Sequence, residues 1–118
     1  MNKDKKFPLY YKFYQLLKSF YRMKENFERQ YKYSLGEEII ELTWDCMDST
    51  IKANAVSKEK KKKKIENLSI TFDQLKIRLR MAQELEQISK GQYSHLQTNY
   101  VKEIGKMIGG WINWSNNE

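Results

Sequence analysis

Few side chains in this sequence stand at spacings that support covalent or metal chemistry. His95 is the only histidine and Cys46 the only cysteine, and neither has a second nitrogen or sulfur ligand at metal-binding spacing. Cys46 falls on the apolar row of an amphipathic segment, where a thiol acts as a small buried hydrophobe. Acid pairs such as Glu84/Glu86 and Asp45/Asp48 suit the solvated faces of helices. The Glu-x-x-His pattern that builds di-metal sites in helix bundles is absent from the sequence. No catalytic residue, metal or cofactor is therefore expected, and the chain reads as a non-enzyme.

Basic residues carry the remaining chemistry. The formal charge of +7 is blocked along the chain: +6 over residues 1–32, −5 over 33–50, +6 over 51–64 and balance thereafter. Blocks of this density point to a polyanionic partner. Lys58 and the run Lys60, Lys61, Lys62, Lys63, Lys64 form the densest block. Five consecutive lysines cover every face of a helix, so they cannot make one salt-bridging stripe. Near a helix N-terminus each also opposes the dipole by about 0.3–1 kcal/mol. Phosphate would compensate them; a solvated lysine-rich turn is the other reading.

Two further basic stripes stand out. Lys76 and Arg80 lie one helical turn apart beside the apolar positions Leu75 and Leu79, with Arg78 on the other side. Such flanking positions meet a neighbouring helix or subunit, or rest their stems on the bundle with the head group in water. Nearer the N-terminus, Lys18, Arg22 and Arg29 share a stripe, with Lys12 and Lys24 close by and tyrosines interleaved. Tyrosine can stack on unpaired bases, although core or subunit packing also uses such rings.

Four helices are expected to position these residues. The chain's 118 residues fit one domain able to bury about two thirds of its unfolded surface without disulfides. A single cysteine favours a reducing compartment. The basic N-terminus leads into no signal-peptide core and no apolar run is long enough to span a membrane, so a cytoplasmic protein is expected. Pro8 suits a first helical turn. From there Leu9, Phe13, Leu16, Phe20, Met23 and Phe27 keep a 4-3 rhythm, predicting a helix over 8–30. A second apolar row, Tyr10, Tyr14, Leu17 and Tyr21, widens the arc beyond what one bundle core uses, a sign of oligomerisation. Ser34-Leu35-Gly36-Glu37 has the form of a capping box opening a helix over 35–54. Ser57 is a plausible cap for a third helix over 58–89, closed by Lys90-Gly91. A fourth runs over 92–114 through Leu96, Val101, Ile104, Ile108 and Trp111. Together they predict an all-α, antiparallel up-down four-helix bundle in a single domain, 1–118.

The fourth helix contains Glu103-Ile104-Gly105-Lys106-Met107-Ile108-Gly109-Gly110-Trp111-Ile112. Each interior glycine costs a helix roughly 1 kcal/mol. Gly105 and Gly109 share a face, and clearing it would let another backbone or a large ring approach closely. The apolar rhythm continues across the glycines, which favours a continuous helix over a helix end.

This segment, EIGKMIGGWI, resembles the C-terminal signature of Avd, the accessory variability determinant of diversity-generating retroelements. The similarity extends to YSLGEEI, LKIRLRMAQEL and KGQY, covering roughly residues 8–114. More distant kin are the four-helix proteins encoded by intervening sequences of 23S ribosomal RNA genes. The resemblance implies a barrel-like homopentamer that binds a reverse transcriptase and template RNA, or RNA/cDNA, and supports mutagenic reverse transcription and retrohoming. On this family pattern the basic positions of the third helix fall on Lys76 and Arg80, with Arg78 between them. The run Lys60–Lys64 and the stripe Lys12, Lys18 and Arg22 are further candidates for phosphate. A four-helix-bundle protein of the ribosomal intervening-sequence type and an oligomeric protein-binding scaffold without a nucleic-acid role are the competing expectations.

Overall fold

The computed structural model of the chain describes residues 8–117. The N-terminal lysines counted in the first charge block lie outside this range. Among the described residues all regular structure is helical: α1 (Pro8–Lys24), the single turn α2 (Arg29–Lys32), α3 (Leu35–Ala55), α4 (Lys58–Glu84), α5 (Lys90–Leu96), a π-helical turn over Gln97–Val101, and α6 (Lys102–Asn116). The last three run on as one rod. The four rods pack as a ring in which α1 meets α3, α3 meets α4, α4 meets α6, and α6 returns to α1. The short connections make the neighbours antiparallel, an all-α four-helix bundle.

The core follows the apolar rhythm. Phe13, Leu16 and Phe20 from α1, Ile39, Cys46 and Met47 from α3, Leu68, Leu75 and Leu79 from α4, and Ile104 from α6 are all buried. Phe13 meets Phe72 of α4 edge to face at 5.8 Å. The hydroxyls of Thr43 and Thr50 are buried on α3 and donate to the carbonyls of Ile39 and Cys46 one turn back, which removes the cost of burying them.

Helix ends depart from expectation. The first helix stops at Lys24, not near residue 30, and tightens through Glu25 N–H to Arg22 O and Phe27 N–H to Lys24 O. Phe27 nevertheless stays buried, packed edge to face on Phe20 at 5.6 Å. Ser34 does not cap α3: its hydroxyl donates to Gln30 O at 2.6 Å, and Glu37 pairs with Lys24 at 2.6 Å. The third long helix ends at Glu84, not 89. Glu86 takes the left-handed conformation there (φ 61°), with Glu86 N–H bonded to Gln83 O and Gln87 N–H to Ala82 O. This is a Schellman ending built without glycine. Lys90-Gly91 closes nothing; it opens α5. Ser89 and Gln92 form a reciprocal capping box there, Gln92 N–H to Ser89 Oγ at 3.0 Å and Ser89 N–H to Gln92 Oε1 at 2.8 Å.

The glycines of α6 bear out the expected continuous helix but not the expected close approach. The helix passes through Gly109 and Gly110 without ending. A Cβ at either position would meet nothing within 4 Å, and one at Gly105 would touch only Phe72, at 3.9 Å. Within the chain, then, these glycines admit no close neighbour.

Candidate nucleic-acid and protein interface

The predicted basic residues fall in three separate places. The run Lys60–Lys64 lies in the first turns of α4, which begins after the extended residue Ser57. At this end of the bundle Lys58 sits 4.9 Å from the Trp114 ring near the end of α6, joining the two helix termini. Lys61 has a structural task. Its ammonium donates to the carbonyls of Ala53, Asn54 and Val56 at 2.8, 3.2 and 2.9 Å, satisfying the orphan acceptors at the end of α3. Lys60, Lys62, Lys63 and Lys64 are exposed and make no ion pair among the described residues. That leaves four uncompensated cations beside a helix start, which is the arrangement an anionic partner would relieve.

Lys76, Arg78 and Arg80 lie about 24 Å further along α4, at 1.5 Å rise per residue. Each has an acid partner in the chain. Lys76 pairs with Asp73 at 3.2 Å and covers the Phe72 ring at 4.9 Å. Arg78 reaches across to Glu38 of α3 at 3.0 Å and also donates to Gln74 O. Arg80 pairs with Glu84 at 2.9 Å. These pairs are exposed, so each contributes only about 0–1 kcal/mol, and a partner's carboxylates or phosphates can compete for the cations. Between the arginines runs an apolar stripe. Ile70, Ile77 and Met81 are exposed on the outward face of α4, Ile77 by 64%. Met and Arg on an exposed apolar stripe have the composition of a protein-contact surface.

The third group lies on α1, diagonal to α4 in the ring. Lys12 donates to Asn99 O of the π turn at 3.3 Å, and Lys18 sits 5.5 Å from the Tyr14 ring. Arg22 is exposed with no acid partner among the described residues. Arg29, expected on the same stripe, is carried off it by the break after Lys24, and Lys24 is held by Glu37. The α1 residues and the α4 residues therefore do not form one continuous basic patch.

The remaining candidates are a buried thiol and an exposed histidine. Burial, with Asp45 adjacent, pushes the Cys46 thiol up to about 12, so it stays protonated at neutral pH. His95 lies edge to face on Tyr100 at 5.8 Å and shares a hydrogen bond with Asn99. Among the described residues no cluster of His, Cys, Asp and Glu is arranged to hold a metal, and no helix is long and apolar enough to cross a membrane.

Residues 8–115 match the bAvd-like family. The chain belongs to that family. The match spans every helix from the start of α1 to all but the last residue of α6, so it covers the whole bundle. No curated protein and no solved structure gives a significant match.

Sequence reasoning missed the π turn and Tyr100, which it places opposite α1. The signal was present: Leu96 and Val101 are five residues apart, where a continuous α-helical face needs three or four. A π turn absorbs that extra residue.

Proposed function

We propose that this bAvd-like protein is a non-enzymatic, cytoplasmic accessory factor of a diversity-generating retroelement. In this reading it binds the reverse transcriptase and its template RNA or RNA/cDNA, and supports mutagenic reverse transcription and retrohoming. The observation that carries the reading is the family match over residues 8–115. The charge distribution adds a division of labour. The unpaired cations Lys60, Lys62, Lys63 and Lys64 suit phosphate, whereas Lys76, Arg78 and Arg80, interleaved with Ile77 and Met81, suit a protein surface such as the reverse transcriptase. Assembly as a homopentamer follows from the same resemblance. Tyr21, Trp44 and Ile51 are exposed on the α1–α3 side and supply apolar surface for subunit contact.

The test is salt dependence of RNA binding by the purified protein. Single-strand affinity should fall with a logarithmic slope of about −0.7 per phosphate neutralised. Changing Lys60, Lys62, Lys63 and Lys64 to alanine, with Lys61 kept to close α3, should reduce that slope by as much as about 3. Lys76→Ala with Arg80→Ala should instead weaken co-purification with the reverse transcriptase, at unchanged helicity and oligomer size. RNA binding that is absent, or indifferent to salt, would remove the nucleic-acid half of the proposal.

A further inference from the structure

A cleft between α1 and the π turn holds more chemistry than the bundle needs. It encloses about 170 Å³, below the roughly 300 Å³ at which drug-sized pockets begin, so it takes a single flat ring and not a large ligand. Tyr11 and Tyr14 form one wall, their rings nearly parallel (22°) with centroids 6.3 Å apart. Tyr100 stands across from them, put there by the π turn. Its hydroxyl accepts from Ser19 Oγ at 3.2 Å, and His95 braces its ring edge to face. The rim is cationic: Lys18 and Arg22 line the same cleft, and neither has an acid partner among the described residues.

Each feature has a consequence for the ligand. Aromatic walls take a π face, which every nucleobase presents, so the cleft is tolerant of sequence. A base can reach such walls only when it is out of the helical stack, which selects single strands, loops or bulges over duplex. Arg22 follows Lys18 by one turn on the same face of α1, so the two cations track along the rod as successive phosphates of a strand would. Rings outnumber cations here, which disfavours an acidic peptide. The π turn itself is a local departure of the kind found at functional sites, and Lys12 takes up its Asn99 carbonyl.

We propose that this cleft binds one unpaired nucleotide of a single-stranded nucleic acid, its base against Tyr11, Tyr14 and Tyr100 and its phosphates on Lys18 and Arg22. The assignment rests on the nucleic-acid half of the proposed function and adds a site, a strand state and a mode of contact to it.

The experiment uses the full chain and a short RNA carrying one 2-aminopurine, presented single-stranded and as a duplex. Tyr11 is absent from the residues packed on the core, so Tyr11→Leu tests stacking without opening the bundle, and Tyr11→Phe keeps the ring. Wild type and Tyr11→Phe should quench the probe in the single strand. Tyr11→Leu should abolish quenching and weaken single-strand binding about 5- to 100-fold, the loss of one stacked base, with duplex binding unchanged. Arg22→Ala should weaken single-strand binding and flatten its salt slope. Wild-type single-strand affinity and quenching in both Tyr11→Leu and Arg22→Ala would overturn the cleft while leaving salt-dependent RNA binding through the lysine run standing. The same unchanged RNA binding with loss of reverse transcriptase co-purification would overturn it too, by giving the cleft to protein. A wild-type protein that binds no RNA would fail the broader reading, and the cleft with it.

Discussion

The glycines of α6 give the sharpest quantitative test of the fold. Gly109 and Gly110 sit inside a helix that continues to Asn116, have no positive φ, and face open space where a Cβ would stand. Alanine at each should therefore keep every intrachain contact and recover the helix penalty of glycine, about 0.8–1.0 kcal/mol per site. Together that is about 2 kcal/mol. For a chain of this length, about 4 °C per kcal/mol places the gain near 8 °C. Thermal or urea unfolding of the double variant Gly109→Ala, Gly110→Ala measures it, with sedimentation run in parallel. A more stable protomer that no longer assembles would show that the bare face is kept for another subunit. A more stable protein of unchanged oligomer size would show that the face is free in the assembly. A less stable protomer, measured where the wild type is also dissociated, would refute the placement of this face.

Glu86 closes α4 in a left-handed conformation that costs a residue with a Cβ about 1–2 kcal/mol. Glu86→Gly should raise stability by about 1 kcal/mol once glycine's extra freedom in the unfolded chain is set against that relief, read as a shift in the urea midpoint at constant slope. Burial raises the Cys46 pKa to about 12, so the folded state holds its proton more tightly than the unfolded one. The contribution is whole below the unfolded pKa near 9 and is lost as pH rises from there toward 12. At pH 8 the native thiol should accordingly resist Ellman's reagent and react at once in guanidinium; rapid native reaction would contradict its burial.

The sequence made the four rods legible because their cores repeat at helical spacing, but that spacing reports burial, not helicity. Phe27 and Ile88 are both buried and both lie outside helices, and reading them as helical carried α1 and α4 too far. Glu86 gave no warning, since glutamate has no preference for a left-handed turn; the Schellman bonds around it are imposed by the fold. Capping boxes were ambiguous in the opposite sense. Ser34-x-x-Glu37 has the motif without the bonds because Lys24 captures Glu37. Ser89-x-x-Gln92 has both bonds, hidden behind a Lys-Gly pair that resembles a helix end. Local motifs propose bonds, and tertiary competition decides between them.

The same competition governs the basic residues, and it determines which of them remain available to a partner. By sequence, Lys61 is indistinguishable from its four neighbours, and Arg78 stands on the other side of the helix from Lys76 and Arg80 with no visible partner. In the fold Lys61 reaches back to three carbonyls of α3, and Arg78 finds Glu38 on another helix. A run or stripe of charge is therefore an upper bound on a binding surface. Among the basic residues singled out as candidates in α1 and α4, subtracting those that the protomer already uses leaves two groups with unspent charge: the outer lysines of α4, and Lys18 with Arg22 beside the tyrosine cleft. Only the second combines free cations with aromatic walls. Lysines alone attract any polyanion at long range, whereas rings and cations at fixed separation tell an unpaired strand from a duplex. Selectivity for single strands should therefore follow the cleft, and the salt-dependent bulk of affinity should follow the lysine run.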